Sequence, residues 1–235
     1  MTDLDDAHAH STALLPAFWP ARCDDLIWLG VWQLQRLEWK QDILSNIERR
    51  IAADPIALPE QPDPAADRFL PVVAAGTVFG EEIHVLVSQK NIGAGYRVIA
   101  VFETDTGRRI LLDRGFIKVD QKAADRPTGA AEVIGNLHWP DEKGSSIPEP
   151  DLKAEIWFAR DVEAMAAHLN TEALLLVARE TSIDNDPVAP LPVDTVGIPN
   201  DHLQYALTWF SLALIWILMT FTFVWRARSA QKGNS

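Results

Sequence analysis

Residues 199–225 read PNDHLQYALTWFSLALIWILMTFTFVW. From Leu203 to Trp225 there are 23 consecutive positions without a charged side chain. A helix rises about 1.5 Å per residue, so this run is about as long as a bilayer core is thick. The pattern predicts a transmembrane helix over 203–225, followed by a short tail over 226–235. His202 stands at the mouth of this helix. His202, Tyr205, Trp209 and Trp216 follow one another at steps of three, four and seven, and therefore share one face.

Charge orients the span. Arg226, Arg228 and Lys232 follow it, and positive flanks stay cytoplasmic. The C-terminus is therefore expected in the cytoplasm and the soluble part in the periplasm. The formal net charge is −12; leaving out those three residues gives 18 bases against 33 acids, or −15, before the tail. So acidic a domain argues against nucleic acid, which needs a basic footprint, and against docking on anionic lipid surfaces. The single cysteine, Cys23, permits no internal disulfide, and three methionines with no Cys-x-x-Cys make a soft-ligand copper site a poor fit.

The start of the chain is irregular. Residues 1–12 are polar and lack the basic region of a signal peptide. Residues 13–32 are apolar in patches, but Pro16, Pro20, Arg22, Asp24 and Asp25 interrupt them. Central Asp and Arg cost roughly 2.5–3.5 kcal/mol each on insertion, so 1–28 is read as an atypical segment and not as a span. Leu34, Leu37, Leu44, Ile47 and Ile51 recur at helical spacing and predict an amphipathic helix over 29–53. Four prolines make 54–68 a linker. Residues 69–200 form the soluble domain. There, Val72–Phe79, Ile83–Gln89, Tyr96–Thr104, Arg109–Val119 and Glu132–His138 read as strands. Phe79-Gly80-Glu81 and Thr104-Asp105-Thr106-Gly107 read as hairpin turns, and Asn91–Gly95 as a flexible loop. Val162–Leu169 reads as a helix capped by Asp161, Ala173–Ala178 as a buried strand, and Thr181–Pro199 as a second Pro-rich connector. The fold class is thus α+β, a mainly antiparallel β domain with a C-terminal transmembrane helix.

His202 is the strongest chemical candidate. An imidazole at a helix mouth with aromatic rings on its face suits ligation of the metal of a flat aromatic ligand such as a heme. It equally suits an ordinary interfacial belt, because Tyr and Trp favour the membrane–water boundary. Trp32, Gln33, Arg36 and Lys40 cluster on the first helix, where the two cations can pair with carboxylates or form a solvated face. Arg114, inside an apolar strand, calls for an acidic partner. His138, Trp139, Trp157 and Phe158 read as core, and His84 and His168 have no identifiable partner. His8 and His10 fall in the polar N-terminal tail. No nucleophile–base arrangement is recognisable, so an enzyme is not expected.

Four stretches in order resemble the Surfeit locus cytochrome oxidase assembly proteins: Leu29-Gly30-Val31-Trp32-Gln33 and on to Lys40, Gly95-Tyr96-Arg97-Val98, Leu112-Asp113-Arg114-Gly115-Phe116, and Gly197-Ile198-Pro199-Asn200-Asp201-His202 and on to Phe210. The likeness runs from about Trp28 to Arg228 and is closest to alphaproteobacterial members. It implies a membrane-anchored, non-enzymatic assembly factor in the bacterial inner membrane that serves heme-copper oxidases. It implies heme a as cargo, with subunit I of cytochrome c oxidase, and the heme a synthase, as partners alongside membrane lipid. On that view His202 is the metal ligand and Tyr205 and Trp209 line the heme. Trp32, Gln33, Arg36 and Lys40 then face it from the other helix. An assembly scaffold that touches subunit I or the heme synthase without binding heme is the alternative. The family carries a first span directly before its Leu-Gly-x-Trp-Gln motif, where this chain has the broken stretch 13–27.

Overall fold

The computed structural model describes residues 15–89, 92–142, 144–145 and 147–232. His8, His10 and Asn91 lie outside them, as does the beginning of the segment 1–28. The chain forms two compact units: Asn46–Thr195, and a helical unit made of the chain before and after it.

In the first unit seven strands form one mixed, mainly antiparallel sheet: β1 (Ile56–Ala57), β2 (Pro71–Gln89), β3 (Gly93–Thr104), β4 (Arg109–Lys118), β5 (Gly129–His138), β6 (Ile156–Trp157) and β7 (Leu175–Thr181). The path β2-β3-β4-β7-β5 returns to β2, because β5 also pairs with Pro71–Val78. The sheet is therefore a closed barrel of five strands, an arrangement that leaves no bare edge. Alternation along the strands sorts the apolar residues into two layers. Val72, Ala74, Val78, Ala100, Phe102, Ile110, Leu112, Ala131, Val133, Leu137, Leu176 and Ala178 come from all five strands and fill the inside. Ile83, Val85, Ile99, Leu111, Leu175 and Val177 point the other way and are covered by Trp157 and by Val162, Met165 and Ala166 of helix α2 (Val162–Leu169). Strand β4 is buried without interruption from Ile110 to Ile117, as a strand covered on both faces must be.

Helix α2 has the predicted bounds. The Asp161 side chain accepts from Ala164 N–H, and Asn170 ends the helix in the left-handed region at φ 52°. The hairpin at Thr104–Gly107 also forms: Gly107 N–H donates to Thr104 C=O at 2.8 Å, and Gly107 has φ 82°. The turn predicted at Phe79-Gly80-Glu81 does not form. Val78 pairs with Phe102 and Glu82 with Ala100, so β2 absorbs two extra residues as a bulge and continues. Gly93, Ala94 and Gly95, read as loop, open β3 opposite Gln89, Ser88 and Val87. The first helix, α1, extends from Leu15 to Ile51, well upstream of the predicted start, and the last strand runs Leu175–Thr181.

Buried ions fasten the connector that leaves β7. Register shifts between Val98 and Ile99, so Arg114 is the extra residue of a bulge in β4. Its guanidinium donates to Asp186 at 2.7 Å and to Pro127 C=O at 2.9 Å; this is the acid that the sequence required but could not name. Next to it, Phe116 and Ala189 exchange backbone bonds of 2.7 and 2.9 Å. Arg97 bridges the fully buried Asp113, at 2.6 Å, and Leu191 C=O, at 3.0 Å. Gly115 has φ 124°, and a Cβ there would overlap the Ala189 carbonyl. Gly115→Ala is therefore expected to destabilise the protein by more than about 2 kcal/mol, read from its denaturation midpoint.

Two further buried groups set the acid response. Glu82 meets Arg126 Nε at 2.9 and 3.0 Å and His84 Nε2 at 3.2 Å. Burial pushes its carboxyl up, but the His84 and Arg126 contacts outweigh burial and hold it at about 2. Burial, with Arg160 and Arg68 nearby, lowers His138 to about 3. Both folded values lie below the unfolded ones, so acid weakens the fold at both: Glu82 loses a stabilising ion pair on protonation, and His138, buried as a neutral ring, must take up a penalised charge. The His138 contribution is lost as pH falls from about 6.5 to 3, and that of Glu82 from about 4.5 to 2, at up to about 1.4 kcal/mol per pH unit per proton. Urea midpoints taken from pH 7 to pH 3 should fall, and His138→Gln should flatten the decline above pH 4.

Candidate functional site

The second unit holds α1 up to Ser45 and helix α3 (His202–Lys232). Among the described residues α3 is the one helix long and apolar enough to cross a membrane, over His202–Ala230. The least exposed positions of α3 are His202, Ala206, Trp209, Ala213, Trp216 and Thr220, with Phe210 beside them; those of α1 include Cys23, Leu26, Gly30, Gln33, Leu37 and Lys40. Both series advance by alternating threes and fours, the seam of two helices packed along each other. Contacts fix the direction. Gln33 meets His202, Gly30 meets Phe210, and Asp25 and Leu26 share a cavity with Leu212, Ile215 and Trp216. Residue numbers fall on one helix as they rise on the other, so the pair is antiparallel.

Small residues permit this approach. Gly30, Ala206 and Ala213 are the buried positions of the pair. A Cβ on Gly30 would lie 2.5 Å from the Phe210 ring.

At the mouth of α3, His202 Nδ1 lies 2.8 Å from Gln33 Oε1. An amide oxygen accepts only, so Nδ1–H donates and the ring proton of the neutral imidazole is on Nδ1. Nε2 keeps its lone pair free for a metal, the way a ligating histidine is oriented by its other nitrogen. Among the described residues no three or more His, Cys, Asp or Glu side chains converge on a metal position. The arrangement offers one oriented nitrogen, which suits a metal that brings most of its own ligands.

The other predicted site residues are spread over the unit. Trp209, half-buried, lies on the packed seam seven residues after His202; Tyr205 is exposed. Lys40 is half-buried on the seam of α1, two turns beyond Gln33 and about 10 Å along the axis, on the side away from the apolar run. Trp32 and Arg36 are exposed on another face, where the Arg36 guanidinium lies 4.5 Å from the Trp39 ring and 5.8 Å from Trp32. Of the four α1 residues, Gln33 is brought to His202. The family resemblance sets Gln33 opposite the histidine together with Trp32, Arg36 and Lys40 and does not distinguish among them; the three-residue separation of Gln33 from Gly30 is the signal in the sequence.

Several histidines and acids of the barrel unit are paired with one another or with arginines. His168 Nε2 lies 3.1 Å from Glu155, His84 has Glu82 and Arg126, and Arg160 Nε donates to Glu142 at 3.0 Å.

Gly30→Val should force the helices apart. In a Cys23→Ser background, disulfide formation between Leu26→Cys and Leu212→Cys is expected to drop at least several-fold. Adding Phe210→Ala should restore it by opening the space the valine fills.

The sequence profile of the SURF1 family matches residues 26–214. Human Surfeit locus protein 1 is 29% identical over 209 residues, 79% of this chain and 69% of that protein. A SURF1-like protein of Rickettsia felis is 31% identical over 208 residues, 83% of this chain and 89% of that one. A SURF1-like protein of Monosiga brevicollis is 28% identical over 211 residues, 81% and 80% of the two chains. The match takes in the helix of Gln33, the whole barrel and the first half of α3, and the chain belongs to the SURF1 family.

Proposed function

We propose that this protein is a membrane-anchored assembly factor for heme-copper cytochrome c oxidase, without enzymatic activity, that binds heme a as cargo and assists its insertion into subunit I. Family membership supports the assembly role. The heme assignment rests chiefly on one observation: His202 stands at the head of the apolar helix with Nδ1 held by Gln33, so Nε2 is free for iron. The residues around it suit the shape of the cargo. Trp209 and Tyr205 follow on the helix that enters the apolar layer, where an aromatic macrocycle is favoured. Lys40, and Arg36 once it leaves Trp39, stand beyond the mouth, where propionates would remain in water. His202 Nε2 is the protein nitrogen that would hold the metal of the cargo, with Gln33 fixing the orientation of the ring. Arg226 and Arg228 behind the span favour a cytoplasmic C-terminus in the bacterial inner membrane, with the barrel in the periplasm. The heme a synthase, as donor, and subunit I, as acceptor, are the partners this role implies.

The test is an absorption spectrum of the full chain, purified in mild detergent from cells making heme a. The parent is expected to carry a heme a signal that vanishes or shifts in His202→Ala. Gln33→Ala should lower heme occupancy roughly tenfold or more at equal protein, because an oriented ligand has become free to rotate. A parent without heme would instead support a scaffold that contacts subunit I or the heme synthase directly.

A further inference from the structure

The register of the helix pair places an ionisable side chain at an unexpected depth. The charge-free run of α3 extends from Leu203 to Trp225, so its midpoint is Leu214. Asp25 and Leu26 of α1 line a cavity of about 540 Å³ with Leu212, Ile215 and Trp216, residues that flank that midpoint. Measured along α1, Asp25 lies eight residues, about 12 Å, inward from Gln33 and the mouth of the span. With α3 across a bilayer, Asp25 is therefore near the middle of the hydrocarbon layer.

A carboxyl group at that depth faces protein, a water-filled cavity or an opposite charge. None of the described residues lining the cavity is basic. The stripe that continues from Asp25 along α1, at steps of three and four, is Trp28 and Trp32, respectively 63% and 40% exposed, and Ile27 beside it is 40% exposed. Among the residues whose side chains are described, this face from Asp25 to Trp32 is apolar apart from the acid at its start. Lipid tails supply no charge to answer it, and a second copy of the chain would bring a second acid. An apolar helix with a base at the same depth answers both features, because the pair removes two unmatched charges from hydrocarbon together.

We propose that the Asp25–Trp28–Trp32 face of α1 docks a transmembrane helix of another membrane protein that carries a lysine or arginine at mid-bilayer. The inference requires α3 to lie in the membrane and is independent of heme binding.

The full chain, labelled at its C-terminus, is reconstituted in phosphatidylcholine vesicles with fluorescent leucine-rich transmembrane peptides whose central residue is Lys, Leu or Glu. Association is read by energy transfer. The Lys peptide is expected to associate at least tenfold more tightly than the Leu peptide, and the Glu peptide no better than Leu. Asp25→Asn, nearly identical in shape, should reduce the Lys peptide to the Leu level, whereas Asp24→Asn should not. Asp25→Lys should transfer the preference to the Glu peptide. Equal binding of Lys and Leu peptides, binding of neither, or a Lys preference that survives Asp25→Asn would each overturn the proposal.

Discussion

Strand β2 must satisfy hydrogen bonds on both of its sides along 19 residues, and the barrel follows from how it does so. Its first half pairs with β5, its second half with β3 and β6, and over Gly76–Val78 it is bonded to β3 and β5 at once. A straight strand could not serve neighbours that diverge in this way. The two residues absorbed after Val78 bend it, and the bend lets β5 return to the strand on which the sheet began. Closure sets an inside and an outside, and the two-residue period of each strand then sorts its side chains between the barrel core and the layer under α2.

Closure also explains why charges are buried beside β4. That strand lies in the middle of the circuit, with apolar layers on both faces, yet it carries Asp113 and Arg114. Each has a partner outside its own strand: Arg97 for Asp113 and Asp186 for Arg114. Pairs of this kind contribute little net stability over apolar substitutes, but losing one partner strands a charge in the interior. Their effect here is geometric. Asp186, Ala189 and Leu191 are successive points of the Pro-rich connector, which has no regular structure of its own to hold it. Ion pairs and two backbone bonds fix its course over β4, up to Thr195, whose hydroxyl donates to Glu48 at 2.6 Å. The two chain segments that lead to the helical unit are thereby tied together within the barrel unit.

The parts legible in the sequence are those whose causes are local. Helix α2 needs Asp161 as a cap and Asn170 as a stop, and both lie within ten residues of each other. The Thr104–Gly107 hairpin needs a glycine with positive φ, and the span of α3 needs only length and apolarity. Arg114 announced the type of its partner, an acid, but the partner lies 72 residues away and could be identified only through the fold. Phe79-Gly80-Glu81 was misread because a bulge and a turn call for the same residues; only the need for β2 to continue to a second neighbour distinguishes them. The upstream part of the first helix has no local signal in the sequence. Prolines and charges at 16–25 argue against a helix in isolation, while the seam shared with α3 from Cys23 onward supports one.

At the candidate site the decisive quantity is register, which sequence periodicity leaves open. The seam of α1 presents Leu26, Gly30, Gln33 and Leu37 in turn, and of these only Gln33 can accept a hydrogen bond from an imidazole. A slip of one turn, about 5.4 Å, would set His202 against an apolar side chain or the bare backbone of Gly30. Gly30 prevents that slip, because it is the position on α1 at which the Phe210 ring fits without meeting a Cβ. One close contact in the apolar layer therefore fixes an event at its mouth: the ring against Gly30 aligns Gln33 with Nδ1, and that alignment leaves Nε2 as the free nitrogen. The same alignment carries Asp25 down to the level of Ile215. The oriented histidine and the position of Asp25 beside Ile215 are thus two consequences of a single packing choice between a glycine and a phenylalanine.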